Sequence, residues 1–374
     1  MDLSKEITIL IPTYNRYSYL KRLLEYYLRG EIAFSILIAD SSSSPLDDEV
    51  AGLIERQSIN YLKFPSDLTP QKKILQAIRK ITTKYAVLCA DDDFVISSAI
   101  SECVGFMERN QDYSVALGVD CSHSLRKRKR GKIEYDWTPG GFGRSVTQDG
   151  PSERLTSHLA NYDTATFYGV HRTDTLRLIF EEALESTSHG RMGELLLTGL
   201  TLIYGKMAVL PIYYSSREHG SSSMENTLSV VPYFHTSWPL FLSEDKSDEE
   251  CRRAIDCFAK HLQRQTGTNL DMSTKTAADA LNGYLEPLLP RTEQNFPGRF
   301  INASKKILFW LRLRPLMLGM HGRMTKFRRS LRSKQVKAAK IEYSNRLEES
   351  DPKFHDNFNE IREAVTRSEV HITR

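Results

Sequence analysis

The sequence predicts an α/β protein, with a doubly wound, mostly parallel sheet followed by a helical C-terminal region. Up to about residue 225, short apolar runs alternate with segments whose apolar residues recur at helical spacing. Beyond that point the strand-like runs stop and only the helical spacing continues. We therefore predict two domains, residues 1–225 and residues 226–374.

The apolar runs do not alternate with polar residues, which indicates strands buried on both faces of the sheet. The predicted strands are Ile7–Ile11, Phe34–Ala39, Ile59–Phe64, Tyr85–Ala90, Tyr113–Val119, Ala165–His171 and Lys206–Ser215. The predicted helices between them are Tyr17–Leu28, Leu46–Gln57, Thr69–Lys80, Ser97–Arg109, Asp174–Glu185 and Leu195–Tyr204. The C-terminal helices are Glu249–Gln265, Thr274–Leu289, Phe300–Leu318, Gly322–Glu348 and Phe354–Thr366. Residues 120–150 break the pattern and predict a loop or hairpin.

The composition, 40% hydrophobic and 26% charged residues, is ordinary for a soluble globular protein. The five cysteines show no paired or zinc-like spacing, which indicates reduced thiols in a cytosolic setting. The first residues lack the basic and apolar regions of a secretory signal, and no apolar run is long enough to span a bilayer. We therefore expect a cytoplasmic protein.

The C-terminal region contains one strongly basic segment. Residues 299–340 carry thirteen Lys or Arg and no acid, together with apolar patches such as Ile307–Leu311. Such a segment is typical of a helix lying on an anionic membrane face, and so predicts peripheral contact with the inner face of the cell membrane. The alternative is a helix pair packed on the first domain with its basic face in water. Nucleic acid is not expected, because no recognition motif accompanies the charge.

Three consecutive carboxylates, Asp91, Asp92 and Asp93, follow the predicted strand Tyr85–Ala90. Ligands of open α/β sheets bind at the carboxyl ends of strands. Adjacent carboxylates repel one another unless a cation or donors such as Arg and Lys neutralise them, and their oxygens suit Mg²⁺ or Mn²⁺. The alternative is a solvated acidic turn that caps the helix at Ser97. The chain has no GxGxxG after its first strand and no GxxxxGK[ST], which argues against a dinucleotide site and a P-loop.

Four features in order carry a family resemblance: Ile11–Arg16 (IPTYNR), Ile38–Ser41 (IADS), the aspartate triplet, and Glu194 with His219. The series, over residues 5 to 225, resembles the inverting family-two glycosyltransferases of GT-A fold, especially a bacterial surface-polysaccharide type. The resemblance implies transfer of a sugar from a nucleotide-diphosphate sugar, with UDP-sugar as the expected donor, to a hydroxyl of a glycan or lipid-linked acceptor.

The resemblance also implies roles for particular residues. The expected nucleotide-sugar-binding residues are Pro12, Thr13, Asn15, Arg16, Asp40, Lys73 (or its neighbour Lys72), Asp91, Asp92 and Arg217. The expected metal ligands for Mn²⁺ or Mg²⁺ are Asp93, Asp91 and His219. Because Ala90 stands where the family's first aspartate can align, Asp92 with Asp93 is an alternative register for the metal.

Inverting transfer requires a general base that takes the proton of the attacking hydroxyl. The family places this base at the start of a helix, and Glu194 occupies that position here; its alternative role is a helix cap. His189 and His171 are interpreted as structural, with a place in the lining of the acceptor pocket as the alternative for His189.

Two other functions stay open at the sequence level. A nucleotidyltransferase uses a similar sheet, but it needs a glycine-rich basic loop after the first strand, where this chain has Pro12–Asn15. A degenerate, non-catalytic GT-A-like scaffold is the other alternative. The helical tail also offers a surface for a homodimer.

Overall fold

The computed structural model describes residues 5–29, 34–127, 133–140, 143–219, 238–242, 246–288 and 341–367. The strands are β1 (Ile7–Thr13), β2 (Ser35–Asp40), β3 (Asn60–Lys63), β4 (Tyr85–Leu88), β5 (Phe94–Val95), β6 (Tyr113–Lys127), β7 (Ile133–Pro139), β8 (Val170–Arg172) and β9 (Lys206–Glu218). The helices of the sheet domain are α1 (Tyr17–Tyr27), α2 (Asp48–Arg56), α3 (Pro70–Ile78), α4 (Ser97–Arg109), α5 (Pro151–Ala160), α6 (Thr173–Ser186) and α7 (Gly190–Tyr204). The later helices are α8 (Trp238–Phe241), α9 (Ser247–Thr266), α10 (Leu270–Leu285), which a 3₁₀ turn Glu286–Leu288 follows, α11 (residues 341–350) and α12 (Phe354–Arg367).

One mixed sheet forms the centre of the fold, with strand order β3-β2-β1-β4-β8-β6-β9-β5 and β7 paired to β6. Strands β1 to β4 are parallel to one another, and β6 is parallel to β9. The predicted α/β class with a mostly parallel sheet is therefore confirmed. Because β1, β2 and β4 run in the same direction, their carboxyl ends meet at one edge of the sheet, where the polar motifs follow them.

The strands form where apolar residues can be buried on both sides. In β1, Ile7, Ile9, Leu10 and Ile11 are all fully buried, with alternate residues packing into the hydrophobic clusters on the two faces of the sheet. In α1, the apolar residues at helical spacing face the same core as the odd-numbered residues of β1. Burial on both faces fixes the register of the sheet and so the positions of its loops.

Two strands differ from the sequence prediction, and a third feature decides between the loop and the hairpin predicted for residues 120–150. β4 ends at Leu88, and residues 89–93 turn away before the short β5 pairs antiparallel with β9. β8 is three residues long and lies antiparallel between β4 and β6. The interval 120–150 contains a hairpin, because β6 continues to Lys127 and pairs with β7.

The described C-terminal helices pack on the sheet domain. Helices α9 and α10 share one hydrophobic cluster with α5, α6 and α7. Residues 341–367 return to the other side: the Tyr343 hydroxyl donates to the Asp120 carbonyl at 2.5 Å, and Asp351 accepts from the Tyr213 amide at 3.0 Å. In α12, Phe354 and Phe358 pack against Tyr213 and Trp137.

The basic segment 299–340 lies outside the described residues, so both interpretations of it stay predictions. Among the described helices, none combines the length and the apolar character that crossing a membrane would require.

Candidate donor-binding and catalytic site

The carboxyl ends of β1 and β4 open onto a cavity of about 570 Å³. The predicted site residues that line it are Pro12, Thr13, Arg16, Lys73 and its alternative Lys72, Asp91, Asp92 and Glu194. Helices α3, α6 and α7 and the aromatic pair Phe167 and Tyr168 complete its wall. Cations, carboxylates and the predicted base therefore face one space. The other predicted residues, Asn15, Asp40, Asp93, Arg217 and His219, lie around this cavity without lining it.

The first two aspartates of the triplet are bound by a cation of the chain itself. The Arg16 guanidinium lies 2.6 Å from Asp91 Oδ1 and 2.8 Å from Asp92 Oδ2. The other Asp91 oxygen accepts the Thr13 hydroxyl at 2.7 Å. Although burial opposes it, the charges of Asp91 and Asp92 raise the pKa of Arg16, which therefore stays protonated. Arg16 neutralises the carboxylates that follow β4.

The loop after β1 is held in place by the loop after β2. Asn15 has a positive φ of 53°, a conformation that asparagine tolerates better than most residues. Its amide donates to the Ser42 hydroxyl at 2.7 Å, and its side-chain oxygen accepts from the Ser43 amide at 2.9 Å. This geometry fixes the backbone from which Arg16 reaches the triplet.

Lys73 is a second cation at the cavity, and it is almost fully buried, with 3% of its surface exposed. Its ammonium donates to the Thr13 carbonyl at 2.6 Å and to the Ser41 hydroxyl at 2.9 Å. Burial lowers its pKa to about 8, against the attraction of Asp91 and Asp40. Lys72 beside it is exposed, so the structure places Lys73 in the position that can meet a buried anion.

Asp40 lies at the end of β2 and is fully buried. One carboxylate oxygen accepts from Tyr17, Tyr61 and Lys63 at 2.8, 2.6 and 2.9 Å, and the other accepts from the Ser42 amide at 2.7 Å. Although burial favours the neutral acid, these hydrogen bonds lower the pKa of Asp40 to about 2. Both oxygens are already engaged, so a nucleobase or ribose would have to displace one of these donors to bind Asp40 directly.

The third aspartate belongs to a different set of contacts. Asp93 Oδ1 accepts from the Glu218 amide at 2.8 Å, because β5 pairs with the end of β9. Burial and the neighbouring Asp92 raise the pKa of Asp93, while Arg217 acts in the opposite direction. The Arg217 guanidinium also lies 4.6 Å from the centre of the Tyr168 ring. The late Arg217 and His219 are thus brought to the triplet by strand pairing, and His219 itself is exposed.

Glu194 faces the cavity from the first turns of α7, whose N-terminal cap is His189. Burial raises the pKa of Glu194, while the cations Arg191 and Arg217 act against the rise. A carboxylate with a raised pKa is a stronger base, as general-base catalysis near neutral pH requires. The cap position belongs to His189, which accepts from the Met192 amide at 3.4 Å, so Glu194 is not the cap of this helix.

The residues predicted to hold a metal do not fit one in this arrangement. Asp91 is engaged by Arg16 and Thr13, and Asp93 by the Glu218 amide. Asp91, Asp93 and His219 do not bring three ligand atoms within 4.8 Å of one another among the residues that the structure describes. Asp92, the alternative ligand, is bound to Arg16.

The sequence analysis missed Arg22, which is 2% exposed at its side chain and pairs with Glu218 at 2.7 Å. Its guanidinium also donates to the Asp92 carbonyl at 2.9 Å, so it joins α1, the triplet and β9. A signal was present: Arg22 follows Tyr19 by three residues and precedes Tyr26 by four, which puts it on the buried face of α1. No sequence pattern of this kind indicates that the phenols of Tyr17 and Tyr61 contact Asp40.

Comparison with known proteins gives one family match and several structural likenesses. The crystal structure of S. aureus TarS is 13% identical, with a TM-score of 0.42. The aligned part covers 75% of this chain and 54% of that one, so the match spans about half of that chain. TarS 1–349 in complex with UDP-GlcNAc is 13% identical, with a TM-score of 0.37 and coverage of 75% and 90%. No curated protein sequence matches the chain.

The family match covers the sheet from β1 to the end of α6. Residues 8–185 match the family described as "Glycosyl transferase family 2". This span contains the Arg16 loop, Asp40, Lys73 and the aspartate triplet. The predicted GT-A fold and the family resemblance are confirmed over this span: residues 8–185 form a glycosyl transferase family 2 domain, and the protein is a glycosyltransferase.

Proposed function

We propose that the chain transfers a sugar, with inversion, from a nucleotide-diphosphate sugar to a hydroxyl of a glycan or lipid-linked acceptor. The observation that carries the proposal is the single cavity in which Arg16, Lys73, Asp91 and Asp92 are joined by the raised-pKa carboxyl of Glu194. The cations on one side of the cavity suit a diphosphate, and the Glu194 carboxylate on the other side suits deprotonation of an acceptor. Family membership supports the same chemistry.

On the donor side, the chain's own cations face the leaving group. Departure of the nucleoside diphosphate builds negative charge, which positioned cations stabilise more strongly in a water-poor site. One guanidinium nitrogen of Arg16 contacts both Asp91 and Asp92, and a guanidinium stays charged and can bind phosphate through two N–H groups. Lys73 presents a point charge from the buried side of the same loop. A uridine diphosphate is the expected leaving group, with Asp40 and its surrounding hydroxyls near the nucleoside.

No step of this proposal passes through a metal, because Arg16 occupies Asp91 and Asp92. The diphosphate can compete for the Arg16 guanidinium, since phosphate oxygens and carboxylates bind it in the same way. Release of Arg16 to the diphosphate would free both carboxylates for donor hydroxyls.

On the acceptor side, Glu194 takes the proton of the attacking hydroxyl. Attack on the anomeric carbon from the face opposite to the leaving group inverts the configuration, and it requires the base on that face. The placement of Glu194 on α7, which is a different wall of the cavity from the triplet, supports this role.

The donor proposal is tested by thermal shift with a panel of nucleoside diphosphates, each with a chelator and with Mn²⁺. We expect UDP to raise the melting temperature in the chelator, because the cations that meet it belong to the chain. A rise that requires Mn²⁺ would instead assign the charge to a metal and restore the sequence-predicted ligands. No rise with any nucleotide in either condition would overturn the proposed function.

The base is tested by Glu194→Gln. We expect unchanged UDP affinity and a loss of turnover of about a hundredfold or more, because the amide cannot accept the proton. Glu185→Gln, an exposed carboxylate on α6, is the matched control and should leave turnover unchanged. Undiminished turnover of Glu194→Gln, measured with UDP-GlcNAc and other UDP-sugars by release of UDP, would move the base elsewhere.

The cellular setting is also part of the proposal. We infer a catalytic domain at residues 1–225 and a helical region at 226–374 whose basic segment 299–340 holds the enzyme at the cytoplasmic face of a membrane, for bacterial surface-glycan synthesis. The charge of that segment, thirteen cations without an acid, supports the inference.

A further inference from the structure

A group of three metal-ligating side chains lies where the C-terminal helices pack on the sheet domain. Cys257 and His261 are four residues apart on α9, which places them on one face of the helix, and Glu182 faces them from α6. The Sγ, imidazole nitrogen and carboxylate oxygen all lie within 4.8 Å of one another. None of the three lines the donor cavity, so the proposed glycosyl transfer does not use them.

His261 is oriented as a ligating histidine is. Its side chain is fully buried, and its Nδ1 lies 2.6 Å from the Tyr204 hydroxyl. Its Nε2 lies 3.1 Å from Glu182 Oε2 but makes no hydrogen bond of acceptable geometry. Burial lowers the pKa of His261, against the opposing effect of the Glu182 carboxylate. In the tautomer that carries the proton on Nδ1 and donates it to Tyr204, Nε2 keeps a lone pair 3.1 Å from Glu182, as in metal sites whose other ring nitrogen is anchored.

The other two donors complete a set that favours zinc. Cys257 is 5% exposed, and burial raises the pKa of its thiol to about 11, so without a metal it stays protonated. One sulfur, one imidazole nitrogen and one carboxylate oxygen match the ligands of Zn²⁺, with water in the fourth position. Glu182 keeps 15% of its side chain exposed, which gives an ion a route of entry.

Two basic side chains near Glu182 would repel a metal ion bound to this group. Lys260 lies 3.2 Å from Glu182 Oε2, and Arg264 lies 3.6 Å from Oε1. Both side chains are 49% exposed and can turn to water when Glu182 binds a metal, because long exposed side chains hold surface ion pairs weakly.

We propose that Glu182, Cys257 and His261 bind one Zn²⁺ ion that joins α9 to α6. Binding forms Zn–S, Zn–N and Zn–O bonds and releases the Cys257 proton to solvent. The ion links the C-terminal helices to the sheet domain and stabilises their packing, and the proposal is independent of the sugar-transfer chemistry.

The test is a titration of the chelator-treated full chain with Co²⁺, whose thiolate charge-transfer absorption reports a cysteine ligand directly. We expect the absorption to saturate at one Co²⁺ per chain, to be displaced by Zn²⁺, and to be accompanied by a Zn²⁺-dependent rise in melting temperature. Cys257→Ser should abolish the absorption, and Cys251→Ser, on the same helix but outside the group, should retain it. Lys260→Gln should tighten binding, because it removes an opposing charge.

Absence of the thiolate absorption in the wild-type protein would overturn the proposal, as would its survival in Cys257→Ser. The wild-type titration and His261→Gln, which should weaken Co²⁺ binding by tenfold or more, keep the test decisive if Cys257→Ser does not fold. Unchanged affinity in His261→Gln would also overturn it.

Discussion

Lys73 and Asp40 show how burial determines the chemistry of single side chains at the donor cavity. Lys73 has hydrogen-bond acceptors but no direct carboxylate partner among the residues that the structure describes, and burial lowers its pKa to about 8. Asp40 is buried as deeply but has four donors, and its pKa falls to about 2 instead. The same desolvation favours the neutral form of both groups, and the hydrogen bonds decide whether the charge survives.

The lysine gives a pH-dependent prediction. A base whose pKa is lowered by folding carries its charge only below that pKa, so Lys73 loses its proton as the pH rises through about 8. We expect UDP affinity to fall by roughly tenfold between pH 7 and pH 9, since a charge-assisted hydrogen bond contributes about 1.5–3 kcal/mol. Calorimetric titration with UDP at a series of pH values measures this.

The matched variants separate Lys73 from its neighbour. Lys73→Arg should remove the fall in affinity, because a guanidinium stays protonated throughout this range. Lys72→Ala, which removes an exposed cation from the adjacent position, should keep the wild-type pH profile. A flat profile in the wild-type protein would contradict the assignment of Lys73 to the diphosphate.

For single side chains, the sequence predicts where a residue lies along its strand or helix better than it predicts which residues that side chain contacts. The alignment of Asp40, Lys73 and the triplet with strand and helix ends follows from periodicity alone. The pairing of Arg16 with Asp91 and Asp92 does not, because it depends on the positive φ of Asn15 and on side-chain rotamers. The side chains that donate to Asp40 come from α1 and β3. The sequence alone does not show which carboxylate a tyrosine or lysine will contact.

At the scale of elements, periodicity places most strands and helices within a few residues but does not give the direction of a strand. The sequence predicts β8 as an apolar strand, but not its antiparallel position between β4 and β6. The apolar pattern also does not predict the break between β4 and β5. Cys89 is fully buried although it follows the end of β4, so the apolar run outlasts the strand.

Gly199 on α7 tests how closely the C-terminal helices pack on the sheet domain. A Cβ at this position would lie 2.4 Å from the ring of Phe258, which is fully buried on α9. We expect Gly199→Ala to lower the free energy of unfolding by about 1–3 kcal/mol, because neither helix can move away without exposing the core. Urea denaturation measures the loss.

Gly52 supplies the matched control. It lies on α2, and a Cβ there would meet no atom of the described part of the chain within 4 Å. Gly52→Ala should therefore raise the free energy of unfolding by about 0.5–1 kcal/mol through helix propensity alone. Equal stability of the two variants would mean that α7 and α9 are not packed as described.

On the scale of the whole molecule, helices from residues beyond 246 cover both sides of the sheet domain. Helices α9 and α10 extend the cluster beside α7, and residues 341–367 lie against α1, β7 and β9. The sequence predicted helices in this region and left open whether they contact the first domain. Their amphipathic spacing shows that a face is buried, but not against what.

The basic segment between these two groups of helices gives a prediction about membranes. We expect salt-sensitive binding to vesicles that contain anionic phosphatidylserine, and loss of binding when Lys305, Lys306, Arg312 and Arg314 are replaced by glutamine. Substitution is a sharper test than truncation, because truncation before Arg299 also removes Tyr343 and Asp351 from the domain. Sedimentation with vesicles measures binding, and binding that survives the substitutions would refute the membrane assignment.

The contact between α12 and α1 has a consequence for synthesis on the ribosome. The chain emerges from its N-terminus, so α1, β7 and β9 are complete while the residues that cover them are still being translated. Tyr213 and Trp137 stay uncovered until Phe354 and Phe358 arrive. The nascent sheet domain therefore exposes an aromatic surface until residues 354–358 have been translated, and transiently exposed apolar surface of this kind favours aggregation.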